Sequence, residues 1–435
     1  MEPIVVIGAG LAGCEAAWQI AKRGGKVVLY EMKPEHFSPA HRSPFFAELV
    51  CSNSFKSESM ENASGVLKEE MGQWESLILK VAKEMRLPAG ESLAVDREAF
   101  SRTVTETLEG LENVEIVRKE IFALPEDRIT VVATGPLTSE SLSQEIQKIT
   151  GDHHLFFYDA IAPTVTADSI DFQKTFMASR YGKGGNDYVN CPMNREEYYR
   201  FVEALNLAER VPIRQFERRY LFEGCLPIEE MAERGKDTLA YGPLKPVGLI
   251  DPRTGKQPFA VVQLRQEDRF ETMFNLVGFQ TRMKQEEQKR LFRTIPGLEK
   301  AEFVRLGSIH RNTFIDSPRL LKGSLQLKDR PRLFFAGQIT GVEGYMESTA
   351  MGLLSGINAF RHGRGMDTVI PPPETAMGAL VRYITQTPSA PFQPMNINFG
   401  LFPQPPGRGK GREKRRLSAI HALKEMGKWK EKVKM

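Results

Sequence analysis

Two of the cysteines lie in segments where a thiol could do chemistry. Cys51 belongs to a long polar loop and has Lys56 close by in sequence. Cys225 is followed by Pro227 and a run of helix-forming residues, so it would lie just before a helix N-terminus, a position that favours a thiolate. The neighbouring Glu223 opposes that effect. From residue types alone, each thiol suits packing as well as nucleophilic or acid–base chemistry.

The other cysteines indicate a cellular compartment rather than a site. Cys14 is expected to pack, and Cys191 is a weaker candidate for chemistry than Cys51 or Cys225. Four cysteines at such scattered positions make neither a disulfide framework nor a metal site. We therefore predict no metal and a reducing, cytoplasmic environment.

A glycine-rich turn early in the chain has the spacing that binds a dinucleotide. It follows the apolar run 4–7 and opens a helix of small residues, and its members are Gly8, Ala9, Gly10, Leu11, Ala12 and Gly13. The first glycine permits a sharp turn, the second lets the backbone approach a pyrophosphate, and the third lets the helix lie close to the sheet. Glu31 ends the next strand, where a carboxylate accepts hydrogen bonds from ribose hydroxyls. FAD, NAD(P) and S-adenosylmethionine all suit such a unit.

Two later segments repeat the pattern of a strand and a glycine turn, and they narrow the choice of ligand. The strand 129–133 leads into Thr134 and Gly135. The strand 332–336 leads into a small-faced helix, and the candidate cofactor-binding residues there are Gly337, Gln338, Gly344, Tyr345 and Met346. A site built from both ends of a chain resembles the FAD-binding, Rossmann-like fold of glutathione-reductase-type flavoproteins. In that resemblance the last helix points its N-terminus at the flavin ring, so we predict FAD.

These elements predict an α/β fold that carries a mixed α+β insertion domain. At 435 residues the chain is long enough for a core fold with a large insertion. We assign residues 1–160 and 315–406 to the FAD-binding domain, with a proline-rich wrap at its end, and residues 161–314 to an insertion that roofs the flavin. Apolar residues between 67 and 81 recur at helical spacing, which predicts a helix with Trp74 in the core.

The net charge of +4 is unevenly distributed along the chain. Residues 407–435 contain 11 Lys and Arg against 3 Glu, a local +8, which leaves −4 for the remainder. Such a basic tail, which we expect to be partly helical between residues 417 and 433, suits a polyanionic partner, and it equally suits a solvated, flexible terminus. No apolar run approaches the length of a membrane span, so we expect neither a signal peptide nor an anchor.

Five segments together resemble the folate- and FAD-dependent tRNA uracil-5-methyltransferases. They are GAGLAGCEAA at 8–17, LVCSNSFKS at 49–57, NCPM at 190–193, FEGCLPIE at 222–229 and LFFAGQITGVEGY at 333–345. A sister family that modifies tRNA wobble uridines shares the glycine motifs, but it has a longer chain and a different cysteine loop. The basic extension beyond residue 407 is not part of the shared motifs, so its role rests on charge alone.

The resemblance implies a reaction at C5 of the uridine in the T-loop of tRNA. A thiolate adds to C6 to make C5 nucleophilic, and by resemblance Cys225 is that thiolate. Cys51 is our choice for the base that removes the C5 proton, although the two roles could be exchanged. The resemblance further implies methylene-tetrahydrofolate as carbon donor, FAD as carrier of methylene and hydride, and NAD(P)H as reductant. The target uridine must leave its stack to reach a flavin.

Two readings outside that family remain open on the sequence. An ordinary flavin oxidoreductase acting on a small molecule would leave both thiols structural. A non-catalytic RNA-binding flavoprotein would depend on the basic tail. The sequence shows no glycine fingerprint for a separate NAD(P) domain, so we expect any nicotinamide to bind only transiently. No protein partner is evident in the sequence.

Overall fold

The computed structural model describes residues 2–151, 154–182, 184–212, 226–387, 392–405 and 411–434. Its strands are β1 Ile4–Ile7, β2 Val27–Tyr30, β3 Ser54–Ser57, β4 Arg86–Leu87, β5 Ser92–Val95, β6 Val114–Val117, β7 Thr130–Val132, β8 His154–Ile161, β9 Thr164–Thr166, β10 Phe176–Met177, β11 Tyr188–Met193, β12 Ala260–Gln266, β13 Met273–Leu276, β14 Phe303–Arg305, β15 Ser308–Ile315, β16 Gln326–Leu327 and β17 Arg330–Phe335. Its α-helices are α1 Leu11–Ala21, α2 Ala63–Gln73, α3 Leu77–Glu84, α4 Arg97–Glu109, α5 Glu140–Thr150, α6 Arg195–Leu207, α7 Ile228–Glu233, α8 Thr238–Tyr241, α9 Gln285–Phe292, α10 Ser317–Leu320, α11 Tyr345–Gly363, α12 Ala376–Gln386 and α13 Gly411–Lys434.

The first sheet is the frame of a nucleotide-binding fold. Its strand order is β16-β17-β7-β1-β2-β6, with all pairs parallel except the edge pair β16–β17. The inner strand β1 is buried along its whole length, as its unbroken apolar run predicts. Chain order reverses between β1 and β7, so the crevice beyond their carboxyl ends is the place where such a sheet binds ligands. This topology confirms the predicted α/β fold.

Two helices of small residues pack closely on that sheet. A methyl group at Gly13 of α1 would overlap the carbonyl oxygen of Gly8. Methyl groups at Gly352 and Gly356 of α11 would overlap backbone atoms of α1, at Ala12 and Ala16. The close approach of α1 and α11 therefore requires glycine, and it joins the two ends of the chain in one core.

The predicted helix around Trp74 is in fact two helices. The α2 helix ends at Gln73, and Glu75 takes a left-handed conformation with φ of 55° before α3 begins. The side chain of Ser76 caps α3 by accepting the N–H of Leu79 at 3.2 Å. Trp74 lies in the core, as predicted. Apolar spacing alone did not reveal the break, because the apolar residues of both helices belong to the same core cluster.

The middle of the chain forms a separate core. Its sheet has the order β10-β11-β12-β13-β9-β14, and α6, α7 and α9 contribute to the apolar cluster on it. The strands β8 and β15 pair antiparallel along eight residues each, from Ile161 opposite Ser308 to His154 opposite Ile315. The chain leaves the first core along β8 and returns along β15. The limits assigned to the insertion, 161 and 314, fall within this ribbon.

The last part of the chain is more closely packed than its composition suggests. Instead of wrapping the surface, residues 371–387 contribute α12, whose residues Met377, Leu380 and Ile384 are fully buried. The described part of the basic tail is the helix α13, which agrees with the helix expected between residues 417 and 433 and differs from a flexible terminus. The ring of Trp429 packs edge-on against Trp74 with centroids 4.9 Å apart. Residues 407–410 of the tail lie outside the described residues.

No helix in the described ranges is both long enough and apolar enough to cross a bilayer.

Candidate active site

A cleft of about 1100 Å³ opens beyond the carboxyl ends of β1 and β7. Most of the predicted cofactor residues line it, namely Gly8, Ala9, Gly10, Leu11, Ala12, Glu31, Thr134, Gly135, Gly337, Gln338 and Tyr345. Gly13 does not line the cleft but stands behind its wall, where it permits the contact between α1 and β1. The three glycine segments, more than 300 residues apart in sequence at the extremes, therefore meet in one cavity.

The first glycine turn has the geometry of an anion site. Gly8 has φ of 96°, and a methyl group there would lie 2.8 Å from the carbonyl oxygen of Ala133. At Gly10, by contrast, a methyl group would meet no atom within 4 Å. Gly10 is the N-cap of α1 and no side chain caps that helix, so its first N–H groups face open space. This empty space in front of a helix N-terminus fits a pyrophosphate.

Glu31 is placed where a ribose would be bound. Its buried carboxylate accepts the N–H of Ala9 at 2.9 Å and the N–H of Lys33 at 3.0 Å, one on each oxygen. Each carboxylate oxygen can accept a second hydrogen bond, so the group can still receive two hydroxyls from the cleft side.

The last glycine segment closes the other side of the cleft. Gly337 and Gly344 have φ of 83° and 114°, which are conformations that favour glycine. A methyl group at Gly337 would lie 2.8 Å from the Cβ of Ala12, so this turn also packs directly against α1. Gly344 is the N-cap of α11, again without a side-chain cap.

A second cavity of about 1350 Å³ adjoins the first. Five residues line both, and these are Val50, Pro136, Leu137, Gln338 and Tyr345. Cys51, Gly344 and Met346, all predicted site residues, line the second cavity. Its opposite wall comes from the middle of the chain, with Ile161, Arg265, Gln280, His310 and Asn312. The insertion thus forms one wall of the second cavity, and none of its described residues lines the first, so its place over the flavin stays a prediction.

The loop that carries Cys51 is anchored on its N–H side by one phenol. The hydroxyl of Tyr345 accepts the N–H groups of Cys51 at 2.9 Å and Ser52 at 3.2 Å. Burial, together with the nearby Cys51, raises the pKa of Tyr345 above its usual value. The phenol therefore stays protonated, and its own proton is free to point toward another acceptor.

Guanidinium groups anchor the same loop on its carbonyl side. Arg97 donates to the carbonyl oxygens of Leu49 and Cys51, and Arg305 donates to that of Val50 at 2.9 Å. Arg265 binds the hydroxyl of Ser52 at 2.8 Å. Three successive carbonyl groups are thus held by cations.

These cations are only partly neutralised in the described structure. Glu267 pairs with Arg97 and is itself buried. Burial, with Arg97 nearby, lowers the pKa of Arg305 to about 10, so it remains charged near neutral pH. An excess of positive charge therefore surrounds the Cys51 loop, which stabilises negative charge in the adjacent cavity.

Cys225 itself lies outside the described residues, but the chain that follows it is anchored at the second cavity. The N–H of Ile228 donates to the carbonyl oxygen of Gln280 at 2.7 Å, and Gln280 lines that cavity. The α7 helix begins at Ile228 with Pro227 as its N-cap, one residue later than the sequence predicted. Burial raises the pKa of the Glu229 carboxyl above its usual value.

Sequence reasoning missed the residues that hold the thiol loop. Arg97 begins α4, Arg265 lies in β12 and Arg305 in β14, and no local motif marks any of them. Among the described residues, no group of three or more His, Cys, Asp or Glu is arranged to hold a metal ion.

Comparison with known proteins places this geometry among flavoproteins that modify tRNA. The family model described as "Glucose inhibited division protein A" matches residues 3–367. "Methylenetetrahydrofolate--tRNA-(uracil-5-)-methyltransferase TrmFO" of Geobacter sulfurreducens is 60% identical over 427 residues, which cover 98% of each chain. The protein of the same name from Desulforamulus reducens is 59% identical over 433 residues, which cover 99% of this chain and 98% of that one.

Solved structures agree on the fold. The structure of Aquifex aeolicus GidA in its form II crystal superposes with a TM-score of 0.71 at 18% identity, and the match covers 98% of this chain and 73% of that chain. At this level of identity the likeness concerns the fold alone.

Proposed function

This chain belongs to the methylenetetrahydrofolate--tRNA-(uracil-5-)-methyltransferase family, and on that premise we propose that it methylates C5 of the T-loop uridine in tRNA. The observation that carries the proposal is the junction of two cavities. One is walled by the three glycine segments, and the other contains the Cys51 thiol under the roof of the insertion. A nucleotide cofactor and a reacting base would therefore meet at their shared wall.

The proposed reaction balances with one reductant. The carbon of methylene-tetrahydrofolate replaces the hydrogen at C5 of uridine, and two further hydrogens are needed to give 5-methyluridine and tetrahydrofolate. FAD, when bound and reduced by NAD(P)H, supplies those hydrogens and carries the one-carbon unit. The identity of the nicotinamide is part of the proposal, as is the T-loop position.

The residues of the first cavity fit FAD. The empty space at Gly10 and the uncapped start of α1 would hold the pyrophosphate. Glu31, with a free acceptor position on each oxygen, would bind the ribose. The N-terminus of α11, at Gly344 and Tyr345, would stabilise negative charge on the ring system.

The two thiols are given the roles that the chemistry requires. We assign addition at C6 to Cys225 and removal of the C5 proton to Cys51. Cys51 suits a proton acceptor because its loop is held by five hydrogen bonds from or to Tyr345, Arg97 and Arg305, which keep the sulfur in one place. The surrounding guanidinium groups would stabilise the enolate that forms on the ring. Since tRNA is the substrate, we place the reaction in the cytoplasm.

A reconstituted assay tests the proposal. FAD-loaded protein is incubated with a tRNA transcript, methylene-tetrahydrofolate and NAD(P)H, and the nucleosides are then analysed. We expect 5-methyluridine at the T-loop position, and none when S-adenosylmethionine replaces the folate. A folded, flavin-loaded sample that makes no 5-methyluridine would refute the proposed function.

A further inference from the structure

The helix α13 has two faces with different tasks. One face is buried against the core, and its members are Ser418, Ala419, Ala422, Met426, Trp429 and Val433. Polar contacts fix the helix further. Arg361 donates to the carbonyl oxygen of Val433 at 2.9 Å, and the indole N–H of Trp74 points at the sulfur of Met426 at 3.1 Å. The helix is therefore a rigid part of the fold, so the side chains on its other face have defined positions.

The other face is a strip of cations in solvent. We call it the basic strip, and it consists of Arg412, Arg416, Lys424, Lys428 and Lys432, which are spaced by multiples of four residues and are all exposed. Arg412 pairs with Glu61 and Lys428 with Glu425. The other three have no ion-pair partner among the described residues. From Arg412 to Lys432 the strip is about 30 Å long, given a rise of 1.5 Å per residue.

The strip begins beside the second cavity. Arg412 lies 3.4 Å from the carboxylate of Glu61. The next residue, Asn62, donates from its side chain to the hydroxyl of Ser57 at 3.0 Å. Ser57 lines the second cavity. A ligand held along the strip would thus reach the mouth of the cavity that contains Cys51.

Charge and shape favour a nucleic acid over a membrane as the ligand of this strip. An amphipathic helix binds a bilayer by inserting its apolar face, but the apolar face of α13 is already buried in the protein. What remains accessible, apart from Ile420, is mainly charged, and the cations outnumber the exposed Glu413 and Glu431, which suits the phosphates of a rigid polyanion. Residues 407–435 carry +8 and the rest of the chain −4, so this tail supplies more than the whole net positive charge of the protein.

We propose that the basic strip is the docking surface for the phosphate backbone of the RNA substrate. This inference rests on the proposed function for the identity of the RNA. The strip holds the stem while the target base enters the second cavity, so it contributes to binding and not to the chemical step. The anchoring of α13 agrees with this role, because a helix that moved on the protein surface could not fix the register of the RNA.

The test neutralises the strip and measures tRNA binding directly. In Arg416→Gln/Lys424→Gln/Lys432→Gln we expect tRNA affinity to fall about tenfold or more at low salt. The slope of log affinity against log salt should become shallower by about 2 to 3, which is about one for each lost phosphate contact. In steady state the KM for tRNA should rise while kcat at saturating tRNA stays near that of the unchanged protein.

A matched control neutralises three cations at the opposite end of the main sheet. Lys26, Arg128 and Arg330 are exposed and precede or begin the strands β2, β7 and β17, away from the cleft. The triple Gln variant at these positions should keep the affinity and the salt slope. Both variants should melt at the same temperature as the unchanged protein.

Three results would overturn the inference. These are an unchanged affinity and slope in the strip variant, an equal loss in the control, or a loss of binding to anionic lipid vesicles without a loss of tRNA binding. Binding is measured without folate or reductant. A protein that binds tRNA through the strip but makes no 5-methyluridine would therefore refute the proposed reaction and leave the docking surface standing.

Discussion

The two cavities that meet at Tyr345 are built in different ways. The first contains three glycine turns and helix N-termini, and the residues of each such segment are adjacent in sequence. The second draws its lining from β3, β12, β15 and α11, and its thiol loop is held by Tyr345 of α11 and by residues of two further elements, α4 and β14. Glycine turns and helix N-termini can bind a ligand through the backbone, whereas charged and polar side chains can take part in a reaction.

The difference implies that damage to the two cavities should have separate signatures. A change in the first cavity should remove the cofactor and with it every activity. A change in the second should leave a yellow protein that cannot complete the reaction.

The largest effect is expected at Gly13. In Gly13→Ala the added methyl group overlaps the carbonyl oxygen of Gly8, so α1 must move away from β1 and the protein should take up no flavin. The matched control is Gly10→Ala, whose methyl group meets no protein atom within 4 Å. That control should melt at the temperature of the unchanged apoprotein but bind FAD more weakly, because the methyl group occupies the space of the pyrophosphate. Thermal melting and flavin absorbance separate the two outcomes, and equal flavin uptake by Gly13→Ala would contradict the packing argument.

The next effect is at Cys51. In Cys51→Ala we expect methylation to fall by about 10² to 10⁴-fold, the usual contribution of a positioned proton acceptor. Flavin uptake and its bleaching by NAD(P)H should be retained, since the thiol lines only the second cavity. The control is Cys191→Ala, which alters a thiol fully buried in the insertion core. A Cys51→Ala protein with full methylation would show that the thiol only packs.

A smaller effect is expected at Arg305. The change Arg305→Met removes the hydrogen bond to the carbonyl oxygen of Val50 and one cation from the Cys51 loop. We expect methylation to fall about tenfold, which corresponds to roughly 1.4 kcal/mol, within the range for a hydrogen bond to a charged group. Flavin affinity should not change. Arg305→Lys keeps the charge and should therefore recover part of the rate. If Arg305→Lys is as slow as Arg305→Met, the role of Arg305 is not electrostatic.

The smallest effect on methylation is expected at Tyr345, which lines both cavities. The change Tyr345→Phe removes the acceptor of two N–H groups and should lower the free energy of unfolding by about 1 to 3 kcal/mol. It should slow methylation only a few-fold if the arginines alone keep the thiol loop in place. Urea unfolding and steady-state kinetics measure the two quantities. An unchanged stability would mean that the two N–H groups find another acceptor.

Local sequence was sufficient to predict the first cavity. Each glycine segment is a strand, a turn and a helix in immediate succession, so Gly8, Glu31, Gly135 and Gly337 could be assigned from spacing alone. The cap of α4 is equally local in sequence, since the carboxylate of Asp96 accepts the N–H of Ala99 at 3.0 Å. Sequence reasoning was weaker where one pattern allows two structures, as in the apolar spacing that hid the break between α2 and α3.

The basic tail shows how composition can describe a surface without its setting. The charge of the tail was evident from the sequence. The role of its apolar residues became clear only from their packing in the folded chain, as in the contact between Trp429 and Trp74. The tail was expected to be partly helical and flexible, and its described part is an anchored helix, because Met426, Trp429 and Val433 bury their side chains on α2 and its neighbours. Whether such apolar residues are buried depends on surfaces formed by residues that are distant in sequence.

The amino-acid sequence by itself predicted the nucleotide-binding frame, because its glycine turns depend on contacts between residues that are neighbours in the chain. The FAD ligand and the roles of Cys51 and Cys225 came from the resemblance to known families, and the two thiol roles stay predictions. Only the tertiary structure decided that Arg97, Arg265, Arg305 and Tyr345 surround Cys51, and that α13 presents its cations beside the same cavity. Contacts of that kind join residues separated by dozens to hundreds of positions. Their geometry is set by how the two cores pack together, which no local pattern encodes.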